Sequence, residues 1–266
     1  MNSDWIIPDW PAPPNVRAVC TTRQGGVSAP PWDSFNLGRL VGDDPAAVRA
    51  NWAALAAATG ARPVYLRQVH GTAVQPLDEH TPDAIEADAS TTQARGVACV
   101  AMAADCLPVL FTDTRGTRVA AAHAGWRGLA GGVLESTLAS FLPKALNQQA
   151  SAAIKTAAPD DVIAWLGPCI GPQAFEVGAE VREAFCAHRP EAAECFTTGA
   201  VPGKFMADLA GLARQRLRAA GVQALYGNDS SAPWCTVANP SRFFSHRRDS
   251  VRLGTSGRFA ACIWRV

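Results

Sequence analysis

The chain lacks an excess of charge of either sign, a long apolar run and any short-range metal motif. Its 24 lysine and arginine residues stand against 23 acidic ones, which removes the electrostatic footprint of a protein that binds duplex DNA or an anionic membrane. Small neutral partners, or partners carrying a local phosphate, suit that balance better. No run of 18 apolar residues occurs, so no membrane-spanning helix is expected. Asp4 and Pro8 stand where a signal peptide would carry its apolar core, and the sequence predicts a soluble, cytoplasmic protein. Neither H-x-x-x-H nor C-x-x-C is present, which excludes the local zinc signatures. Eight cysteines are present, and Cys20, Cys99, Cys186 and Cys262 lie among apolar or small residues, as reduced, buried thiols do.

What the chain does have is an apolar centre. From Cys99 to Arg127 it is hydrophobic except at Asp105-Cys106, around the turn Asp113 to Gly116, and at His123, which is followed by Gly125-Trp126-Arg127. Apolar runs of this length, bounded by Pro108 and by the turn Asp113 to Gly116, predict buried strands. A thiol and an imidazole then sit where core strands end, on a scaffold rigid enough to hold them.

Around that centre the elements follow from local signals. Residues 1–15 hold four prolines and two tryptophans and predict an arm laid over the body. Val16 to Thr22 predicts a strand, and Asp44, Pro45 and Gly60 mark the cap, first turn and stop of a helix. Val64 to Gly71 reads as an alternating strand delivering His70, and Gly128 to Phe141 and Val177 to His188 as helices. Lys144 to Asp160 reads as a variable loop, Met206 to Ala220 as an amphipathic helix, Asn239 to Ser250 as a polar stretch, and Phe259 to Trp264 as the last strand. Strands cluster with helices between them and no regular βαβ repeat, so the class is α+β, with layered mixed sheets flanked by helices. At 266 residues one domain spanning the whole chain is expected.

His70, Cys106 and His123 each precede a glycine or follow a strand closely enough to share one sheet edge. Two imidazoles and a thiolate would leave a zinc ion one open position, the mark of a catalytic site, while the plainer alternative is three buried side chains with ordinary hydrogen bonds. Asp105 or Asp88 is a candidate general acid/base, and Asp105 is equally a turn cap. Arg23 and Arg127, beside glycine turns, and Arg247 or Arg248 are candidate phosphate forks. Asn36 and Gln68 are candidate hydrogen-bonding groups for ribose or base.

The segments R-Q-V-H-G (67–71), A-D-C-L-P-V (104–109), A-A-H-A-G-W-R-G (121–128), G-P-C-I-G (167–171) and F-F-S-H-R-R-D (243–249) together resemble the YfiH/laccase-domain family, also called polyphenol oxidase-like or peptidoglycan editing factor proteins. The likeness runs from about Thr21 to the C-terminus. It implies a single α+β domain with a cysteine-hydrolase-like fold and zinc held by His70, Cys106 and His123. It also implies purine nucleoside phosphorylase activity on adenosine, inosine and methylthioadenosine with phosphate, and an accompanying adenosine deaminase activity. The laccase label brings copper as an alternative, since His₂Cys is also a blue-copper set, but five histidines are few for a multicopper enzyme. A third class is a metal-free Cys-His hydrolase, with Cys106 as nucleophile and His123 as base, acting in peptidoglycan precursor editing. His246 stands where relatives often carry tyrosine. A monomer and a homodimer are both compatible with the sequence.

Overall fold

Alternation along the strands divides the side chains among three cores, and those cores define the layers. The computed structural model describes residues 2–141 and 161–266. The first half contains β1 (Val16–Cys20), α1 (Pro45–Thr59), β2 (Arg62–Pro63), β3 (Leu66–Arg67), β4 (Val74–Leu77), β5 (Ile85–Glu86), β6 (Ala89–Thr92), β7 (Val97–Ala103), β8 (Leu107–Asp113), β9 (Val119–Ala124), α2 (Trp126–Gly131) and α3 (Val133–Ala139). The second contains β10 (Val162–Leu166), β11 (Glu176–Gly178), α4 (Ala179–Cys186), β12 (Phe196–Thr198), β13 (Lys204–Ala207), α5 (Leu209–Ala219), β14 (Ala224–Gly227), α6 (His246–Leu253) and β15 (Phe259–Arg265).

A four-stranded sheet, β1-β15-β7-β2, packs on a six-stranded mixed sheet, β14-β10-β8-β9-β6-β4. Val97, Cys99, Ala101 and Ala103 of β7 meet Leu110, Val119, Ala121 and Trp165 between the two sheets. The alternate residues Ala98, Val100 and Met102 face outward onto Val48, Trp52 and Leu55 of α1. The outer face of the larger sheet, with Val109, Phe111, Ala120 and Ala122, is covered by α2, α3, α4 and α5. Both faces of β7, β8 and β9 are therefore dry, which is why these strands read as continuous apolar runs. The architecture is α+β, four layers deep at its centre.

Several local expectations are met in detail. Asp44 caps α1 by accepting from the Ala46 N–H, Pro45 opens the helix, and Gly60 ends it at φ +65°. Others are corrected. Residues 64–71 are not one strand: only the short β3 forms among them, and His70 takes φ +61°, which no strand residue adopts. The helix expected from Gly128 starts at Trp126 and breaks at Gly132, whose φ of +100° separates α2 from α3. The amphipathic helix starts at Leu209, capped by Asp208, because the three residues before it are drawn into or follow β13. The polar stretch at 239–250 runs into α6, capped by Ser245. Cys186 is half-buried at the end of α4, while Cys20, Cys99 and Cys262 are buried, and all are free thiols. The loop expected at 144–160 lies outside the described residues.

Candidate functional site

The link from β7 to β8 carries the chain from one sheet into the other in three residues, Ala104, Asp105 and Cys106. So short a crossing forces Asp105 to φ +90°, a left-handed conformation costing a non-glycine residue about 1–3 kcal/mol. Its carboxylate offsets that cost by accepting from Thr236 Oγ1 at 2.5 Å and from the Arg247 N–H at 2.6 Å. Cys106 follows at the mouth of β8. On the neighbouring strand β9, Pro108 pairs with His123, which shares the inter-sheet face of Val119 and Ala121. His70 approaches from the loop after β3.

Asp88 ties these segments together. Its Oδ1 accepts from the His70 N–H at 2.8 Å and lies 2.9 Å from His123 Nδ1. Its Oδ2 accepts from the Gly71 N–H at 2.6 Å and the Val69 N–H at 3.2 Å. The Asp88 carbonyl also accepts from the His123 N–H. One buried carboxylate thus holds the left-handed turn at His70 and the ring of His123, leaving His123 Nε2 free to face Cys106.

The result is a three-ligand cluster. The donor atoms of His70, Cys106 and His123 lie within 4.8 Å of one another, with Cys106 Sγ 3.6 Å from His70 Nε2. Tetrahedral zinc with sulfur and imidazole ligands sets its donors about 3.5 Å apart, so the residues present fit a metal after a small contraction. Gly125 makes room for this approach: a Cβ there would lie 2.6 Å from His70 Cδ2 and 2.9 Å from Cys106 Sγ.

Electrostatics agree. Burial alone would push the Cys106 thiol up, but the charge and hydrogen bond of His123, together with His70, bring it down to about 6. Burial would likewise lower His123, yet the Cys106 thiolate and Asp88 outweigh it and raise it to about 9. Asp88 is held below the usual carboxylate range, since the His123 and Gly71 hydrogen bonds overcome its burial.

The cluster floors a cleft of about 460 Å³. Of the residues singled out in the sequence, His70, Gln68, Asp105, Cys106, His123 and Arg247 line it. Gln68 spends both ends of its amide on the Met102 backbone, extending the edge of β7. Arg23, Asn36 and Arg127 do not line it. Arg23 bonds the Asp33 and Pro240 carbonyls and pairs with Asp33 at 3.2 Å. Asn36 is buried and holds Gly38, Asp43 and the Arg258 N–H, while exposed Arg127 stacks on Trp126. Arg248 pairs with its neighbour Asp249. The walls add Arg39, Tyr65, Trp126, Phe175, His246 and Arg258. Of these, Trp126 and His246 lie in segments whose motifs stood out; Arg39 and Arg258 look like ordinary loop arginines.

The sequence model of the multi-copper polyphenol oxidoreductase laccase family matches residues 17–266. A purine nucleoside phosphorylase of Pseudomonas aeruginosa is 50% identical over 261 residues, covering 98% of both chains. The Escherichia coli purine nucleoside phosphorylase YfiH is 46% identical over 99% of this chain and 100% of its own length. Among solved structures, a Neisseria meningitidis protein superposes with a TM-score of 0.87 at 46% identity, covering 99% of each chain. YlmD of Geobacillus stearothermophilus superposes at 0.81 with 31% identity, over 95% of this chain and 92% of that one. With the cluster at its centre and relatives matched end to end, the chain belongs to the laccase-like family that includes YfiH.

Proposed function

We propose that this protein is a zinc-dependent purine nucleoside phosphorylase that also deaminates adenosine, with both reactions at the His70, Cys106, His123 centre. The observation that carries the reading is the open three-ligand cluster flooring a cleft large enough for a nucleoside, in a chain 46–50% identical to relatives bearing that name. Bound zinc would supply Lewis acidity at the cleft floor. Everything else falls to the chain's own side chains. Asp88 fixes the His123 tautomer and the His70 turn. Tyr65, Trp126 and Phe175 offer apolar faces for the purine. Asp105, at the cleft wall with a lone pair left on each oxygen, is placed to hold a proton for the base or the attacking group.

In phosphorolysis a phosphate oxygen bonds to ribose C1′ as the bond to the purine nitrogen breaks, its electron pair leaves on the base, and the proton of the phosphate ends there. In deamination water adds to the purine ring and ammonia leaves. Adenosine, inosine and methylthioadenosine are the substrates expected. Copper is served less well by the donors: His80 and His188 are exposed, which leaves His246 as the one further cleft histidine among the described residues.

A second reading has its own support, because Cys106, His123 and Asp88 stand in the order of a nucleophile, base and orienting carboxylate. It would suit a hydrolase of peptidoglycan precursors. One assay separates the two: adenine and inosine release from adenosine plus phosphate, in wild type, His123→Ala and chelator-treated protein, beside metal content per chain. The metal reading expects about one zinc per chain and joint loss of both products. Activity that survives the chelator but not a thiol alkylator would favour Cys106 and His123 as a metal-free nucleophile and base, and loss of one product alone would require two centres.

A further inference from the structure

Four arginines line the cleft, and their partners separate them: exposed Arg67 pairs with Glu86. Arg39 pairs with Asp83 at 2.7 Å and lies over the rings of Tyr65 and Trp52. Arg247 gives one terminal nitrogen to the Ala174 carbonyl and the other to that of Glu176. Arg258 differs from all three. Its Nη1 donates to the carbonyls of Ser256 at 2.7 Å and Gly257 at 3.0 Å, while Nε and Nη2 have no hydrogen-bond partner among the described residues. It also forms no ion pair among the described residues, although it is half-buried.

A guanidinium so placed carries a desolvation cost that a carboxylate would ordinarily offset. It is also held rigidly. Asn36 Oδ1 accepts its backbone N–H at 2.8 Å, and the Leu37 N–H donates to its carbonyl. Gly38 gives its stem room, since a Cβ at that position would lie 2.9 Å from Arg258 Cγ. The chain therefore spends a buried asparagine and a glycine on fixing one arginine in the wall of the cleft that contains Cys106, with its Nε–Nη2 edge unspent. That edge matches two oxygens of a tetrahedral oxyanion.

We propose that Arg258 is the residue that binds the phosphate co-substrate, through its Nε and Nη2 edge on the wall of the cleft. The assignment rests on the phosphorolysis reading above, and it replaces Arg23 and Arg127, whose guanidinium groups lie outside the cleft lining. The bound anion supplies the counter-charge that the fold withholds, and fixed donors need no rearrangement when it arrives.

The test uses the metal-loaded protein, as wild type, Arg258→Lys and Arg258→Gln, with circular dichroism and metal content confirming that each is folded and loaded. Initial rates of adenosine phosphorolysis are measured against inorganic phosphate and, separately, against adenosine, and phosphate binding is measured by calorimetry. Loss of a bidentate, charge-assisted pair predicts a rise in the KM for phosphate of about tenfold or more, with the KM for adenosine shifting less than about threefold. Arg258→Lys retains the stem and a charge, so it decides the matter if Arg258→Gln does not fold. A wild type that neither binds phosphate nor forms ribose-1-phosphate overturns the phosphorolysis reading itself. A wild type that does both, with variants of unchanged phosphate KM and affinity, overturns the assignment to Arg258. Variants altered in adenosine KM alone would place the guanidinium on the nucleoside and overturn it equally.

Discussion

Cys99 and Cys106 lie seven residues apart, on either side of the same sheet crossing, and their surroundings drive them in opposite directions. Cys99 sits between the two sheets among Val97, Ala101 and Val119, and burial pushes its thiol up to about 12. Cys106 sits at the cleft floor, where two imidazoles reverse the effect of burial. Desolvation pushes both thiols in the same direction, although Cys106 is only half-buried, and the nearest charge is what differs. A thiol in the core becomes a candidate ligand only where the fold brings imidazoles to it.

The largest test of that contrast is to delete each sulfur. Cys106→Ala should strip the metal and lower nucleoside turnover by orders of magnitude while leaving the melting temperature of the metal-free protein near that of wild type. Cys99→Ala should do the reverse: full metal content and activity, with about 1–2 kcal/mol lost to the cavity. Metal analysis, turnover and denaturant melts on both variants check it. Full metal occupancy in Cys106→Ala would remove Cys106 from the ligand set.

A smaller effect probes what brings the imidazoles there. Replacing Asp88 by Asn converts one of its two oxygens into a donor, so either the His70 N–H and His123 Nδ1 or the Gly71 and Val69 N–H groups lose their acceptor. Outer carboxylates of this kind are worth about 10–100-fold in metal affinity. A competition titration against a chelator should show that loss in Asp88→Asn. If affinity stays at the wild-type level, Asp88 merely folds the loop.

The same contrast explains how much of the site was legible. Asp105, Cys106 and His123 end apolar strands, so their pattern stands out against a uniform background. His70, Cys106 and His123 could be grouped from sequence because each breaks an otherwise hydrophobic or regular run. His70 was legible as a residue but not in conformation, since its left-handed turn is imposed by Asp88 from another strand. Helix α6 was missed because S-H-R-R-D-S has no apolar period; its signal was the cap, Ser245 accepting from the Arg248 N–H and Asp249 accepting from the Ser245 N–H. Arg23 and Arg258 show the limit most plainly. Both are arginines beside glycines, yet Asp33 ten residues on consumes the first, while Asn36, more than two hundred residues away, presents the second. Local composition carries no record of contacts that distant.

The smallest effect, and the most direct reading of the two thiols, is the pH dependence of alkylation in metal-free protein. A neutral alkylator such as iodoacetamide reacts with thiolate alone. Cys106 is depressed, so its thiolate is lost only as pH falls through about 6, and its alkylation should be near its plateau at neutral pH. Cys99 is raised to about 12, so it should stay unreacted across the same range. The depression comes from the cationic His123 ring, which remains protonated until pH passes about 9. His123→Ala removes that charge and leaves burial, so the Cys106 midpoint should climb back toward or above the ordinary thiol value of 9.0. At pH 7 its alkylation should then slow by roughly a hundredfold or more, since each unit of pKa changes the thiolate fraction about tenfold. Peptide mapping of the labelled site at each pH reads both residues at once. An unchanged midpoint in His123→Ala would mean that His70 or Arg258, not His123, holds the Cys106 thiolate.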